Sequence, residues 1–110
     1  NSCDYCASAH TLIGKGAGLS ATEAAANLAG HSDNAKVHAA LDFAKAILSS
    51  HGHVSDADLV AVRAAGYGDA EVVEIIAVVS MNIFTNYFNH VAGTVVDFPL
   101  VSTASLAAAA

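Results

Sequence analysis

The chain has 110 residues and a formal net charge of −6, with 55% hydrophobic and 13% charged residues. This length fits one domain, and four basic residues scattered among ten acids argue against a nucleic-acid-binding surface. No apolar run approaches the roughly 18 to 20 residues of a membrane span and no secretory signal is visible, so we expect no membrane partner and a cytoplasmic location.

The first two predicted helices follow local start and stop signals. The first spans Asp4 to Lys15, with Ser2 as its N-cap, and ends at the glycines that follow. The second begins at Ser20, whose spacing to Glu23 is that of a capping box, and stops at Gly30.

The third predicted helix begins at Ser32 or Asp33 and runs to about Ser50, before Gly52. Apolar residues recur along it at three- and four-residue intervals: Val37, Leu41, Ala44 and Leu48. This spacing predicts one buried face.

Two further helices complete an all-α prediction of about five helices. The fourth begins at Ser55 and ends at Gly66; the fifth follows Asp69 and runs to about Ala92. The predicted buried stripe of the fifth helix is Val72, Ile76, Val79, Ile83 and Tyr87. Beyond Gly93 we expect extended chain. The predicted organisation is a helical domain over residues 1–98, which lacks an upstream segment, and a tail over 99–110.

Alanine supplies much of the hydrophobic share and buries little area per residue. A small core and few charged residues leave apolar surface exposed on a single chain. We therefore expect partner subunits to cover that surface, which predicts a homo-oligomer.

The only two cysteines stand at the start of the chain in the order Cys3-x-x-Cys6, with His10 four residues later. On a helix these three side chains share one face. The helix N-terminus stabilises a thiolate, and an imidazole one turn later can accept the Cys6 proton. The pattern favours a redox dithiol in which Cys6 attacks a peroxide, His10 moves the proton and Cys3 resolves the sulfenic acid.

Other uses of the cysteines fit less well. A c-type haem requires His directly after the second cysteine, where Ala7 stands, and a thioredoxin-type site requires a βαβ context. A structural zinc requires four ligands, of which the motif supplies three. Zinc stays open as an alternative, because the fold could bring up a fourth ligand from His31, His38, His51, His53 or His90.

The chain resembles the alkylhydroperoxidase D-like, carboxymuconolactone decarboxylase superfamily, and its peroxidase-related branch in particular. The likeness covers the chain to about Pro99. The residues that carry it are Cys3-Asp4-Tyr5-Cys6 with His10, Gly14, Gly18-Leu19-Ser20, His53-Val54-Ser55, Ala64-Ala65-Gly66-Tyr67, Asp69-Ala70-Glu71 and the segment from Asn82 to His90.

The resemblance implies an all-helical fold assembled into dimers, trimers or hexamers, and a thiol-dependent peroxidase that reduces hydroperoxides. It implies that Cys6 is peroxidatic, Cys3 resolving and His10 the proton relay. It also implies a redox-active Cys3–Cys6 disulfide in place of any metal or other cofactor, and a protein dithiol as reductant. Tyr5 stands where the founding peroxidase carries a histidine, and the family's relay glutamate falls ahead of Asn1. The alternatives are a decarboxylase-type lyase and a non-enzymatic zinc-binding or assembly module.

A polar strip lies on the otherwise apolar fifth helix: Asn82, Asn86, Asn89 and His90. Together with Tyr5, the residues Asn86 and His90 are candidates for a pocket wall, although buried amides more often satisfy backbone or a neighbouring subunit. We expect Phe84, Tyr87 and Phe88 in the core or at an interface.

Overall fold

The computed structural model describes residues 1–107, and this part of the chain is helical without a strand. It forms six helices: α1 (Asp4–Gly16), α2 (Ala21–Leu28), α3 (Ala35–Ser50), α4 (Asp56–Ala64), α5 (Asp69–Ala92) and α6 (Thr103–Ala107). The all-α prediction is therefore confirmed. The sixth helix lies in the predicted tail, beyond the five predicted helices, and the last three residues of that tail lie outside the described residues.

Local capping sets most helix starts where the sequence predicts them. Ser20 accepts the Glu23 backbone N–H at 3.0 Å. Ser55 and Asp58 form a reciprocal capping box, in which each side chain accepts the other residue's backbone N–H. Such caps satisfy N–H groups that have no partner within the helix.

Two predicted caps were wrong. Cys3, not Ser2, caps α1, and Ser2 adopts a left-handed φ of 51°. Asn34 caps α3 by accepting the N–H groups of Lys36 and Val37, while Ser32 accepts the Asn34 N–H one step earlier. The sequence offered several capping residues in a row at both places, and short-range spacing does not choose among them.

The chain divides into two units. One joins Asn1–Ala29 to the segment that begins at Asn82, and the other spans Gly30–Met81. Helices α1 and α2 pack together in the first unit, and α3 and α4 in the second. The sequence predicted one domain up to residue 98.

The core of the second unit forms around Phe43, Val62 and Val72, which are 3%, 1% and 7% exposed. Five half-buried residues pack against them: Ile47, Val54, Leu59, Tyr67 and Ile75. The predicted face of α3 missed Phe43 and included Leu48, which is exposed. A large ring filling the centre of a small core decides the rotation of this helix more strongly than the regular spacing of smaller residues.

The predicted buried stripe of α5 is wrong at two positions. Val72 and Val79 are buried, but Ile76 and Tyr87 are exposed. Phe84 and Phe88 are also exposed, with ring centroids 6.4 Å apart, so these aromatic residues are not core. The helix is apolar around most of its circumference, so hydrophobic spacing does not identify the buried side.

By length and composition alone, α5 could also cross a membrane. Its most apolar 18-residue window has a mean hydropathy of 1.3, and 11% of that window is buried. The expectation that no segment approaches a span is therefore wrong for this helix. One such helix is weak evidence, since core helices of soluble proteins meet the same criterion.

Candidate functional site

The candidate site begins with a disulfide between Cys3 and Cys6 at the start of α1. Their Cα atoms are 5.3 Å apart, and both side chains are buried. Cys3 is the N-cap, and its Sγ accepts the Cys6 backbone N–H at 3.2 Å. Because Cys6 lies one turn after the N-cap residue, its sulfur comes close enough to the Cys3 sulfur for a disulfide to form.

An amide from a distant part of the chain contacts the second sulfur. The Asn89 Nδ2 group donates a hydrogen bond to Cys6 Sγ at 3.4 Å, from the part of α5 that belongs to the same unit. Asn89 was expected to satisfy backbone or a neighbouring subunit. No sequence signal links it to Cys6, because 83 residues separate them.

A pocket of about 380 Å³ opens beside the disulfide. It is lined by Asn1, Ser2, Cys3, Cys6, Ala7, His10, Leu28, Asn82, Asn86 and Thr103. Both sulfur-bearing residues therefore share one cavity with His10 and Asn86, two of the residues singled out in the sequence. His10 is exposed, and no hydrogen bond joins it to either sulfur in the described part of the chain.

A second pocket of about 370 Å³ reaches Cys3 but not Cys6. Its lining is Ser2, Cys3, Asp4, Tyr5, Asn89, His90, Gly93, Thr94 and Val96. The two other predicted pocket residues, Tyr5 and His90, belong to this cavity rather than to the first. The predicted residues thus divide between two cavities whose linings share Ser2 and Cys3.

Two of these residues also fix neighbouring chain. The His90 Nε2 atom lies 2.8 Å from the Asn1 carbonyl oxygen, which can only accept, so Nε2 carries the proton. Asn86 Oδ1 accepts a hydrogen bond from Asn1 Nδ2 at 2.8 Å. The Tyr5 ring meets Phe98 edge-on, with centroids 5.3 Å apart. Of the polar strip, His90 thus contacts backbone as expected, whereas Asn86 bonds to a side chain of the same chain.

The segment after Pro99 docks on α1. The Ser8 hydroxyl, which is 1% exposed, accepts the Val101 backbone N–H at 2.9 Å. Asp4 accepts both the backbone N–H and the hydroxyl of Thr103, at 2.8 and 2.6 Å. These contacts hold part of the predicted tail beside the cysteines, and they make Thr103 a wall of the first pocket.

The Thr103 hydroxyl and backbone hydrogen bonds hold the pKa of Asp4 below its usual range, with a smaller contribution from the charge of His90. Both donors favour the charged carboxylate. A negative charge is therefore retained at the first position of α1, where the helix dipole also favours it.

No group of three metal-ligating side chains is placed to hold a metal ion within residues 1–107. Cys3 and Cys6 are joined to each other, so neither offers a free thiolate to zinc. The His31 and His38 rings lie 4.7 Å apart, where they contact Asp33 and Asp42 respectively. The second ring nitrogen of His38 faces the Ser32 N–H.

Comparison of this chain with protein-family models, with curated proteins and with solved structures gave no match.

Proposed function

We propose that this protein is a thiol-dependent peroxidase that reduces hydroperoxides through a Cys3–Cys6 dithiol–disulfide cycle. The observation that carries the proposal is the disulfide itself, which lies at a helix N-terminus and lines the same pocket as His10. The pair lines a cavity of about 380 Å³, which is large enough to admit a small peroxide.

In the reduced protein, the Cys6 thiolate attacks one peroxide oxygen. The O–O bond breaks, its electron pair leaves with the alkoxide, and His10 supplies the proton that turns the alkoxide into an alcohol. The Cys3 thiol then attacks the Cys6 sulfenic acid and releases water, forming the disulfide. Two electrons pass from the cysteine pair to the peroxide. An external dithiol restores them, which is our reason for expecting a reducing compartment such as the cytoplasm.

The test is peroxide consumption by purified protein with dithiothreitol as electron donor. We expect turnover by the wild type and none by Cys6→Ser. Cys3→Ser should complete the first step and then accumulate a sulfenic acid that dimedone traps on Cys6. His10→Ala should lower the rate about 100-fold, the scale of a general acid, while the exposed His53→Ala control stays within twofold.

Retention of wild-type turnover by Cys6→Ser would overturn the assignment of the attacking sulfur. Absence of turnover in the wild type, with fully reduced cysteines, would overturn the peroxidase proposal. An activity that survives replacement of both cysteines would point instead to a lyase on the same scaffold. About one tightly held zinc per chain, released on thiol alkylation, would point to a metal-binding module.

We also infer that the protein self-associates through an apolar stripe on α5, formed by Phe84, Tyr87, Phe88 and Val91. These residues recur at helical spacing and are 64%, 59%, 60% and 91% exposed. Three rings of roughly 200 Å² each, about 60% exposed, and one valine give about 500 Å² per copy. Two copies would bury about 1,000 Å², near the lower bound for a specific interface.

A further inference from the structure

The two sulfurs of the disulfide differ in what surrounds them. Cys3 lines both cavities, whereas Cys6 lines only the first. Cys6 Sγ accepts a side-chain hydrogen bond from Asn89, and Cys3 Sγ accepts a backbone hydrogen bond within α1. Both sulfurs therefore have a donor, but the donors differ in kind, and only Cys3 lines the second pocket.

This difference bears on the reduction of the disulfide. An attacking thiolate must approach one sulfur on the side away from its partner, and the bond electrons leave on the other sulfur. The second pocket is lined by Cys3 and not by Cys6, so a thiol that enters there meets Cys3 first. Cys6 then becomes the leaving thiolate, and its existing hydrogen-bond donor is Asn89.

Building on the proposed peroxidase, we propose that the reductant enters the second pocket and attacks Cys3, and that Asn89 is a catalytic residue that stabilises the released Cys6 thiolate. The thiolate of a dithiol donor forms a bond to Cys3 Sγ while the Cys3–Cys6 bond breaks and its electron pair passes to Cys6. The donor's second thiol then displaces Cys3, which takes up a proton as the donor becomes a disulfide. Cys6 is left as the thiolate that the next peroxide meets.

Asn89 has the right chemistry for this role. An amide N–H donated to a thiolate is a charge-assisted hydrogen bond, so it strengthens as charge develops on the sulfur. The donor lies on the part of α5 that belongs to the same unit as the disulfide, so the hydrogen bond is already in place when the disulfide opens. It favours the charged form of Cys6 and should therefore lower the pKa of this thiol.

The first experiment measures that pKa. In a Cys3→Ser background, Cys6 is the only thiol, and its ionisation is followed by thiolate absorbance at 240 nm after subtraction of the double cysteine variant. We expect Asn89→Ala to raise the Cys6 pKa by about one unit, the scale of a hydrogen bond to a charged group. Asn89→Asp, which preserves the side-chain shape, should raise it further. The matched control Thr85→Ala removes a polar group one turn earlier on α5, which bonds to the Asn82 carbonyl and lines neither pocket, and should leave the pKa unchanged.

The second experiment identifies the attacked sulfur. Oxidised wild type is treated briefly with glutathione, quenched with acid and fragmented in a mass spectrometer. We expect the mixed disulfide on Cys3; glutathione found on Cys6 overturns the direction of attack. An unchanged Cys6 pKa in both Asn89 variants, with native far-UV circular dichroism, overturns the role of Asn89. Neither measurement uses peroxide, so a failed peroxidase assay and a failed Asn89 assignment are distinguishable.

Discussion

The contact between Ser8 and Val101 gives a quantitative test of how the C-terminal segment is held beside the cysteines. Ser8→Ala removes the oxygen that accepts the Val101 N–H and leaves the rest of the side chain in place. Ser8 is 1% exposed, so water cannot easily replace the lost acceptor. An N–H left without a partner costs about 1–3 kcal/mol, and the half-buried position of Val101 favours the lower part of that range.

Alanine also has a higher helix propensity than serine, and the difference stabilises a helix by a few tenths of a kcal/mol. The control Ser49→Ala carries the same gain, because Ser49 is an exposed residue of α3 whose hydroxyl bonds to a carbonyl of its own helix. The difference between the two variants therefore isolates the contact. We expect Ser8→Ala to be less stable than Ser49→Ala by about 1–2 kcal/mol, which lowers the melting temperature by roughly 4–8 °C.

Thermal and urea unfolding by circular dichroism measure this difference, and hydrogen exchange reports the Val101 amide directly. The protection of that amide should fall in Ser8→Ala and stay unchanged in Ser49→Ala. If the two variants melt within about 1 °C of each other and the Val101 amide keeps its protection, the segment is not held by this hydrogen bond and our account of it is wrong.

Three further predictions concern the core, acid stability and assembly. Phe43→Ala should lower the free energy of unfolding by about 3–5 kcal/mol in urea, because it empties the centre of the core around Phe43. The pKa of Asp4 is lowered by Thr103, so this carboxylate stabilises the fold above the unfolded-state pKa of about 4, and that contribution is lost as pH falls through the lower folded-state pKa. Unfolding measured from pH 6 to pH 2 should therefore depend less on pH in Asp4→Asn. Phe84→Glu with Phe88→Glu should convert an oligomer to a monomer in sedimentation at micromolar concentration.

Each of these has a matched control. Leu48→Ala, at an exposed site on the same helix as Phe43, should cost under about 1 kcal/mol. Asp56→Asn changes the first residue of α4, the position that Asp4 holds in α1. This variant should keep the pH dependence of unfolding that the wild type shows as the pH falls. Leu100→Glu adds charge at another exposed apolar site and should leave assembly unchanged. A wild type that sediments as a monomer would contradict the assembly prediction outright.

The first five helices and part of the candidate site were predictable from the sequence. A capping serine meets a backbone N–H three residues away, so Ser20 and Ser55 mark helix starts with no help from the rest of the fold. The placement of Cys6 and His10 one turn apart follows from the helical repeat, and Cys3 directly precedes that helix as its N-cap. The sequence by itself therefore determined the first five helices and the closeness of both cysteines to His10.

Only the tertiary structure decided what surrounds that dithiol. Asn89 is 83 residues from Cys6, Thr103 is 99 from Asp4, and Val101 is 93 from Ser8. Such contacts depend on how each helix is rotated and packed. In α5, apolar residues occur on several faces, so their spacing does not identify the buried face, which is decided by the packing of large side chains in the core. Local spacing thus placed the sulfurs, whereas packing put Cys3 beside both cavities and Cys6 beside the first alone, and gave Cys6 its hydrogen-bond donor.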